Sequence, residues 1–288
     1  MARSLAPDTP PDAALRQIVA ECHADLEKHR SIVLKSRRPI GIHQTRVALR
    51  RLRAAFSLFR GAVVGPTEAS LVRSLSAEAK WLAGECAPAR DLHVFLNETV
   101  SEVPPGVKRV ASRLAKAHLE RARTALTGAR YNAFIGKLAS FGQATDSSSP
   151  SRLDDFGRAV LDQRHDKVEK RGHKIASLDG KRLHRLRIAI KKLRYAATFL
   201  APAFASRAAK PYIEATVRLQ GALGALNDRE VAGQMMADIA VAARPTEDVD
   251  KPLRKLAKQA RSGDKHRRRR LQRAWKTFRR AEPFWRTA

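Results

Sequence analysis

Along most of the chain apolar residues recur every three or four positions, the spacing that gathers them on one face of a helix. In the stretch IHQTRVALRRLRAAFSLFR, from Ile42 to Arg60, this sets Leu49, Leu52, Ala55, Phe56 and Phe59 on one side. His43, Arg46, Arg50 and Arg53 fall on the other, within an arc of roughly 80°. A stretch further on behaves alike, with His184, Arg187, Lys191 and Arg194 opposite Ile190, Leu193, Ala197 and Leu200. Strand-like alternation and hairpin turn pairs are missing. TPPD from Thr9 predicts an N-cap with proline just inside a helix, and GPTEASL from Gly65 predicts a second helix start. The pattern breaks at SEVPPG from Ser101, at the serine-rich GQATDSSSPSRL from Gly142, and at RPTEDVDKP from Arg244. The expectation is an all-α protein with four or five helices on each side of the serine-rich break.

The two basic stretches also match each other. With His43 set against His184, Arg46 meets Arg187, Ala48 meets Ala189, Leu52 meets Leu193 and Arg53 meets Arg194. Arg50 and Arg51 meet Lys191 and Lys192, so charge persists where the residue changes. WLAGECAPARDLHV from Trp81 then matches RLQGALGALNDREV from Arg218, pairing Gly84 with Gly221 and Asp91 with Asp228. RYNAF at Arg130 and AWKTF at Ala274 give a weaker third echo. Three echoes in one order predict a duplicated module: a first helical bundle over 12–142, a linker over 143–152 and a second bundle over 153–286.

Charge sharpens this picture. The 288 residues carry 57 Lys+Arg against 28 Asp+Glu, a net +29. Such a surplus repels itself and attracts polyanions: nucleic acid, an anionic membrane surface or a phosphate polymer. With 43% hydrophobic residues a sizeable core is still feasible. Two cysteines, Cys22 and Cys86, make no disulfide framework or metal motif. The start MARSLAPDTPPDAAL lacks the apolar core of a signal peptide, and no run reaches the ~18 apolar residues of a membrane span. A cytoplasmic protein is expected.

Neither Ile42–Arg60 nor Lys181–Ala201 contains a carboxylate. Solvated helix faces normally mix signs, because like charges at i,i+4 cost a few tenths of a kcal/mol per pair. An external polyanion accounts better for two such ridges than solvent does. Two further stripes, Arg109, Arg113, Lys116, Arg123 and Arg130, and Arg254, Lys258, Arg261, Lys265 and Arg268, point the same way. They are interrupted by Glu120 and Asp264, and the run HRRRR at His266 circles its helix. Readers of single strands interleave aromatics for stacking, yet aromatics are 6% of this chain and only Tyr195 lies at a ridge edge. Cations without base-reading groups suit phosphates without bases, and inorganic polyphosphate is the plain candidate.

Paired H-x-x-R-V/I-A-x-R/K-R/K-L-R helices, each followed by an R/N-D element, resemble the CHAD family, the conserved histidine α-helical domain, over about Asp12 to Trp285. The resemblance implies two four-helix bundles related by a pseudo-twofold, with a basic central cleft that binds inorganic polyphosphate. It implies that His43, Arg46, Arg50 and Arg53, with His184, Arg187, Lys191 and Arg194, line that cleft, and it suggests recruitment to polyphosphate granules. Arg51, Lys192 and Tyr195 beside the ridges, and Arg109, Arg113, Lys116, Arg123, Arg254, Lys258 and Arg261 from the stripes, complete the candidate phosphate-binding set. Family members fused to triphosphate tunnel hydrolases carry Glu-x-Glu-x-Lys, a signature this sequence lacks.

His43 and His184 fit either phosphate donors or neutral imidazoles bonded to a neighbouring helix. Asp91 and Asp228 fit orienting or capping roles, Gly84 and Gly221 close helix packing, and Phe56, Phe59, Trp81, Phe134, Phe278 and Trp285 core. The ridges hold no ligand set for a metal and no activated nucleophile, so neither cofactor nor enzymatic activity is expected. A sequence-indifferent nucleic-acid binder, and an accessory to a phosphate-chain hydrolase, are the alternative readings.

Overall fold

The computed structural model describes residues 5–96, 103–144, 151–261 and 264–286, the side chains of 227–230 and 260–261 apart. Ten α-helices are found there: α1 (Pro11–Lys35), α2 (Pro39–Leu58), α3 (Pro66–Val94), α4 (Pro105–Thr127), α5 (Ala129–Gln143), α6 (Leu153–Gly172), α7 (Gly180–Leu200), α8 (Ala209–Ala242), α9 (Asp250–Arg261) and α10 (Asp264–Arg280). No strand occurs among the described residues. Five helices thus precede the serine-rich break and five follow it.

Proline sets four of the starts. α1 to α4 each open with proline in the first turn, where the missing N–H is no loss and the fixed φ suits the helix. Thr9 does not cap α1 as the sequence suggested: the residue before the helix is Pro10, extended at φ −61° and ψ 138°, and no side chain caps. Ahead of α3, Gly65 takes φ 83°, a left-handed turn that glycine enters without a Cβ clash. Asp179 caps α7 by accepting from the Arg182 N–H at 2.7 Å.

In the first half α2 packs between α1 and α3, α3 runs on to α4, and α5 returns onto α1. In the second, α7 packs between α6 and α8, and α9 and α10 lie on α8. The halves meet chiefly through α2 against α7 and α4 against α8. One continuous core crosses from Leu15, Leu49 and Phe59 to Leu161, Leu193, Phe278 and Trp285. A second cluster joins Leu92, Phe95, Val107 and Val110 to Ala232, Ile239, Val249 and Leu256, so both halves supply both cores.

Of the aromatics expected in the core, Phe56, Phe59, Phe134, Phe278 and Trp285 are buried. Trp81 is half-buried, with the Arg130 guanidinium 4.0 Å above its ring. Gly172 is required where it stands, since a Cβ there would collide with the Trp275 ring. Gly84 and Gly221 contradict the packing role read from the sequence. A Cβ at either meets no atom within 4 Å. No helix among the described residues is long and apolar enough to cross a membrane.

Candidate polyanion-binding site

α2 and α7 turn their cationic ridges toward each other. The Arg50 Nε on α2 donates to the Tyr195 hydroxyl on α7 at 2.9 Å, a bond between residues 145 apart in the chain. Tyr195 is 5% exposed, so its buried ring fixes the hydroxyl as a joint between the helices. The Arg194 guanidinium covers that ring at 4.4 Å, and its Nε donates to Gln220 Oε1 on α8 at 2.8 Å.

Lys191 lies where the rows meet. The residue is exposed, yet desolvation of its ammonium, together with Arg50, Arg187, Arg53 and Arg194, pushes its pKa from 10.5 down to about 8. Two of those four cations belong to α2 and two to α7. Arg50, Arg53, Arg187 and Lys191 have no acidic partner among the described residues.

The ridge ends are tied down. Arg46 Nη1 donates to the Ala83 carbonyl on α3 at 3.1 Å, and Nη2 reaches Asp91 Oδ1 at 3.4 Å. Asp91 thus takes the orienting role that the sequence allowed. Burial raises the pKa of its carboxyl and lowers that of Arg46, and the attraction between the two opposes both shifts. Arg90, which the sequence pattern did not single out, adds its positive charge beside both. The Asp228 side chain lies outside the described residues. His43 is half-buried at the start of its ridge, while His184 is exposed beside Lys181 and Arg185.

Other candidate residues do not join this face. Arg51 points to α1, pairing with Glu21 and Asp25 at 3.1 Å each. Lys192 turns toward α6, where desolvation comes first and Arg164, Lys167, Arg60 and Arg171 follow in lowering its pKa. Arg164 clamps that side by donating to the Lys192 carbonyl at 2.8 Å and the Ser57 carbonyl at 3.2 Å.

The α4 stripe is largely committed elsewhere. Arg113 forks onto Glu247 at 3.0 and 2.9 Å and also donates to the Ala242 carbonyl. This contact holds the Glu247 carboxyl down at about 2. Arg123 bonds the Val33 and Ser36 carbonyls at the end of α1, plus Glu120. Arg130 lies beyond the end of α4, on α5, and forks onto Glu78. Arg109, Lys116, Arg254 and Lys258 are exposed, and the Arg261 side chain lies outside the described residues. No group of three His, Cys, Asp or Glu among the described residues could hold a metal ion.

The model of the CHAD domain matches residues 17–237, and that stretch contains both ridges. The chain belongs to the CHAD domain family. Its fold is similar to that of a CHAD domain from the plant Ricinus communis, at 24% identity and a TM-score of 0.81 over 98% of this chain and 96% of that one. PptA from Streptomyces chartreusis is similar at 16% identity and a TM-score of 0.67, over 93% of this chain and all of that one. At these identities the likeness speaks for an all-α CHAD fold alone. No curated protein matches the chain in sequence.

Proposed function

We propose that this CHAD domain binds inorganic polyphosphate, without turning it over, along the face shared by α2 and α7. The observation that carries the reading is the meeting of four cations, Arg50, Arg53, Arg187 and Lys191, with no carboxylate among them. An extended polyanion satisfies them together and removes their mutual repulsion. Arg46 and Arg194, already held by Asp91 and Gln220, widen the track, with His43 and His184 at its ends. Among the described residues, Asp91 is engaged by Arg46, and no group of three His, Cys, Asp or Glu there could hold a catalytic metal. On this reading the two halves act as repeats around one basic cleft, in a cytoplasmic protein that collects on polyphosphate granules.

Nucleic acid is the competing ligand, because a chain of net +29 attracts any polyanion. Long polyphosphate and single-stranded DNA of equal charge, titrated at about physiological salt, separate the two. Polyphosphate is expected to bind more tightly, since the ridges offer phosphate donors and only a buried ring at Tyr195. DNA binding of equal or greater strength overturns the assignment.

Lys191 adds a pH dependence. Its folded pKa, about 8, lies below the 10.5 of the unfolded chain. Unfolded chains therefore hold this proton more tightly, and stability of the free protein rises as pH climbs from about 8 toward 10.5. Bound phosphate favours the charged ammonium, so affinity should fall up to about tenfold between pH 7 and pH 9. Lys191→Arg should flatten that decline. An identical profile in the variant contradicts the placement of Lys191 against the ligand.

A further inference from the structure

A second cationic site lies where the end of α2 faces the start of α3. A cleft of about 430 Å³ opens there, a size that suits a small organic ligand. Arg53 and Arg60 flank it on one side, Arg73 and Lys80 on the other. Each pair is seven residues apart, so each row runs about 10 Å along the cleft. Between the rows the floor is apolar, made by Phe56, Val63, Ala69, Val72 and Ala77.

The nearby carboxylates are turned away from this cleft. Glu68 bonds Arg16 at 2.7 Å and Glu78 bonds Arg130 at 2.7 Å. None of the four flanking cations has an acidic partner among the described residues, and no carboxylate lines the cleft. Arg164 fixes the α2 end by its bond to the Ser57 carbonyl.

The combination narrows the ligand class. A bare phosphate chain would leave the floor against water, whereas a purely apolar molecule would cover four cations without a counter-charge. A ligand with several negative charges and a flat, weakly polar body satisfies both. From this we infer that the α2–α3 cleft binds a nucleoside polyphosphate, its phosphates between the cation rows and its base over the apolar floor. The site is separate from the proposed polyphosphate track, although Arg53 borders both. A long polyphosphate chain and a nucleotide therefore compete where their sites adjoin.

ATP, inorganic tripolyphosphate and adenosine, titrated calorimetrically into the full chain at physiological salt, test this. The background is Arg50→Glu, Arg187→Glu, Lys191→Glu, which silences the α2–α7 face and leaves this cleft untouched. ATP is expected to bind at least tenfold more tightly than tripolyphosphate, and adenosine not measurably. Adding Arg73→Glu and Lys80→Glu should cost ATP at least tenfold. In the otherwise unaltered chain the same two changes should cost long-polyphosphate affinity only the severalfold that long-range attraction accounts for. Ala77→Trp, which fills the cleft at constant charge, should also abolish ATP binding. Equal affinities for ATP and tripolyphosphate, adenosine binding as well as ATP, or ATP binding indifferent to both sets of changes overturns the inference. Loss of the polyphosphate reading shows separately, as long-chain binding that survives the Arg50, Arg187 and Lys191 reversals.

Discussion

Reversing Arg50, Arg187 and Lys191 to Glu should weaken polyphosphate binding at least about a thousandfold while the helical signal stays intact. Hydrogen bonds to charged groups contribute about 1.5–3 kcal/mol each, so losing three removes roughly 4.5 kcal/mol or more. Reversal adds repulsion to that loss. Arg50 and Lys191 are exposed, and easing the like charge that crowds one face offsets the loss of the Arg50–Tyr195 bond, so the helices should persist. Arg46 is left out of the set because Ala83 and Asp91 bind it, and a glutamate there would face a half-buried carboxylate. The control reverses Arg268, Arg269 and Arg270, exposed on α10, for the same change in net charge. It should cost severalfold through long-range attraction only. Equal losses from both sets, read by titration at physiological salt, would mean diffuse attraction with no defined track.

Polyphosphate should also raise the melting temperature strongly. Any ligand that binds only the folded chain adds about 4 kcal/mol at a thousandfold excess over its Kd. For a chain of this size that corresponds to a shift on the order of 8 °C. The structure gives a reason for the free state to gain: the pKa of Lys191 is depressed first by desolvation and then by the repulsion of Arg50, Arg187, Arg53 and Arg194 around it. A bound anion converts that repulsion into attraction. The Arg50, Arg187 and Lys191 reversal should cut the shift to about 1 °C or less at the same ligand concentration. A shift of equal size in that variant, or none in the unaltered chain at saturation, would remove the α2–α7 face from the account.

The sequence made the ridges legible because both are single-sign faces on amphipathic helices, and periodicity alone assigns such a face. It also supplied the helical class, since proline and polar breaks fall where the helices end. What it did not carry was the identity of each neighbour. Arg51 and Arg50 are adjacent in the chain, yet one meets Glu21 and Asp25 on α1 and the other meets Tyr195 on α7. A period of 3.6 separates their directions by about 100° without saying which helix stands in either.

The α4 stripe shows the same limit. Arg113 has the spacing of a binding residue but is neutralised by Glu247, 134 residues away. Arg123 spends its donors on the last carbonyls of α1 and the turn after it, groups that every helix end leaves over. Gly84 and Gly221 were read as contact points because glycine commonly marks close approach, but both face open space. Gln220, which holds Arg194, and Arg164, which clamps α6 to α2 and α7, have no signature in the pattern. Their roles exist only once the helices are packed.

α2 and α7 are proposed to hold one ligand between them. A crystal structure of the chain with long polyphosphate bound addresses it directly. Expected is phosphate density within about 3 Å of Arg50 on α2 and Lys191 on α7 together, with Arg53 and Arg187 on the same run of phosphates. Density that follows α9 and α10, or that touches one ridge while the other faces solvent, would contradict it.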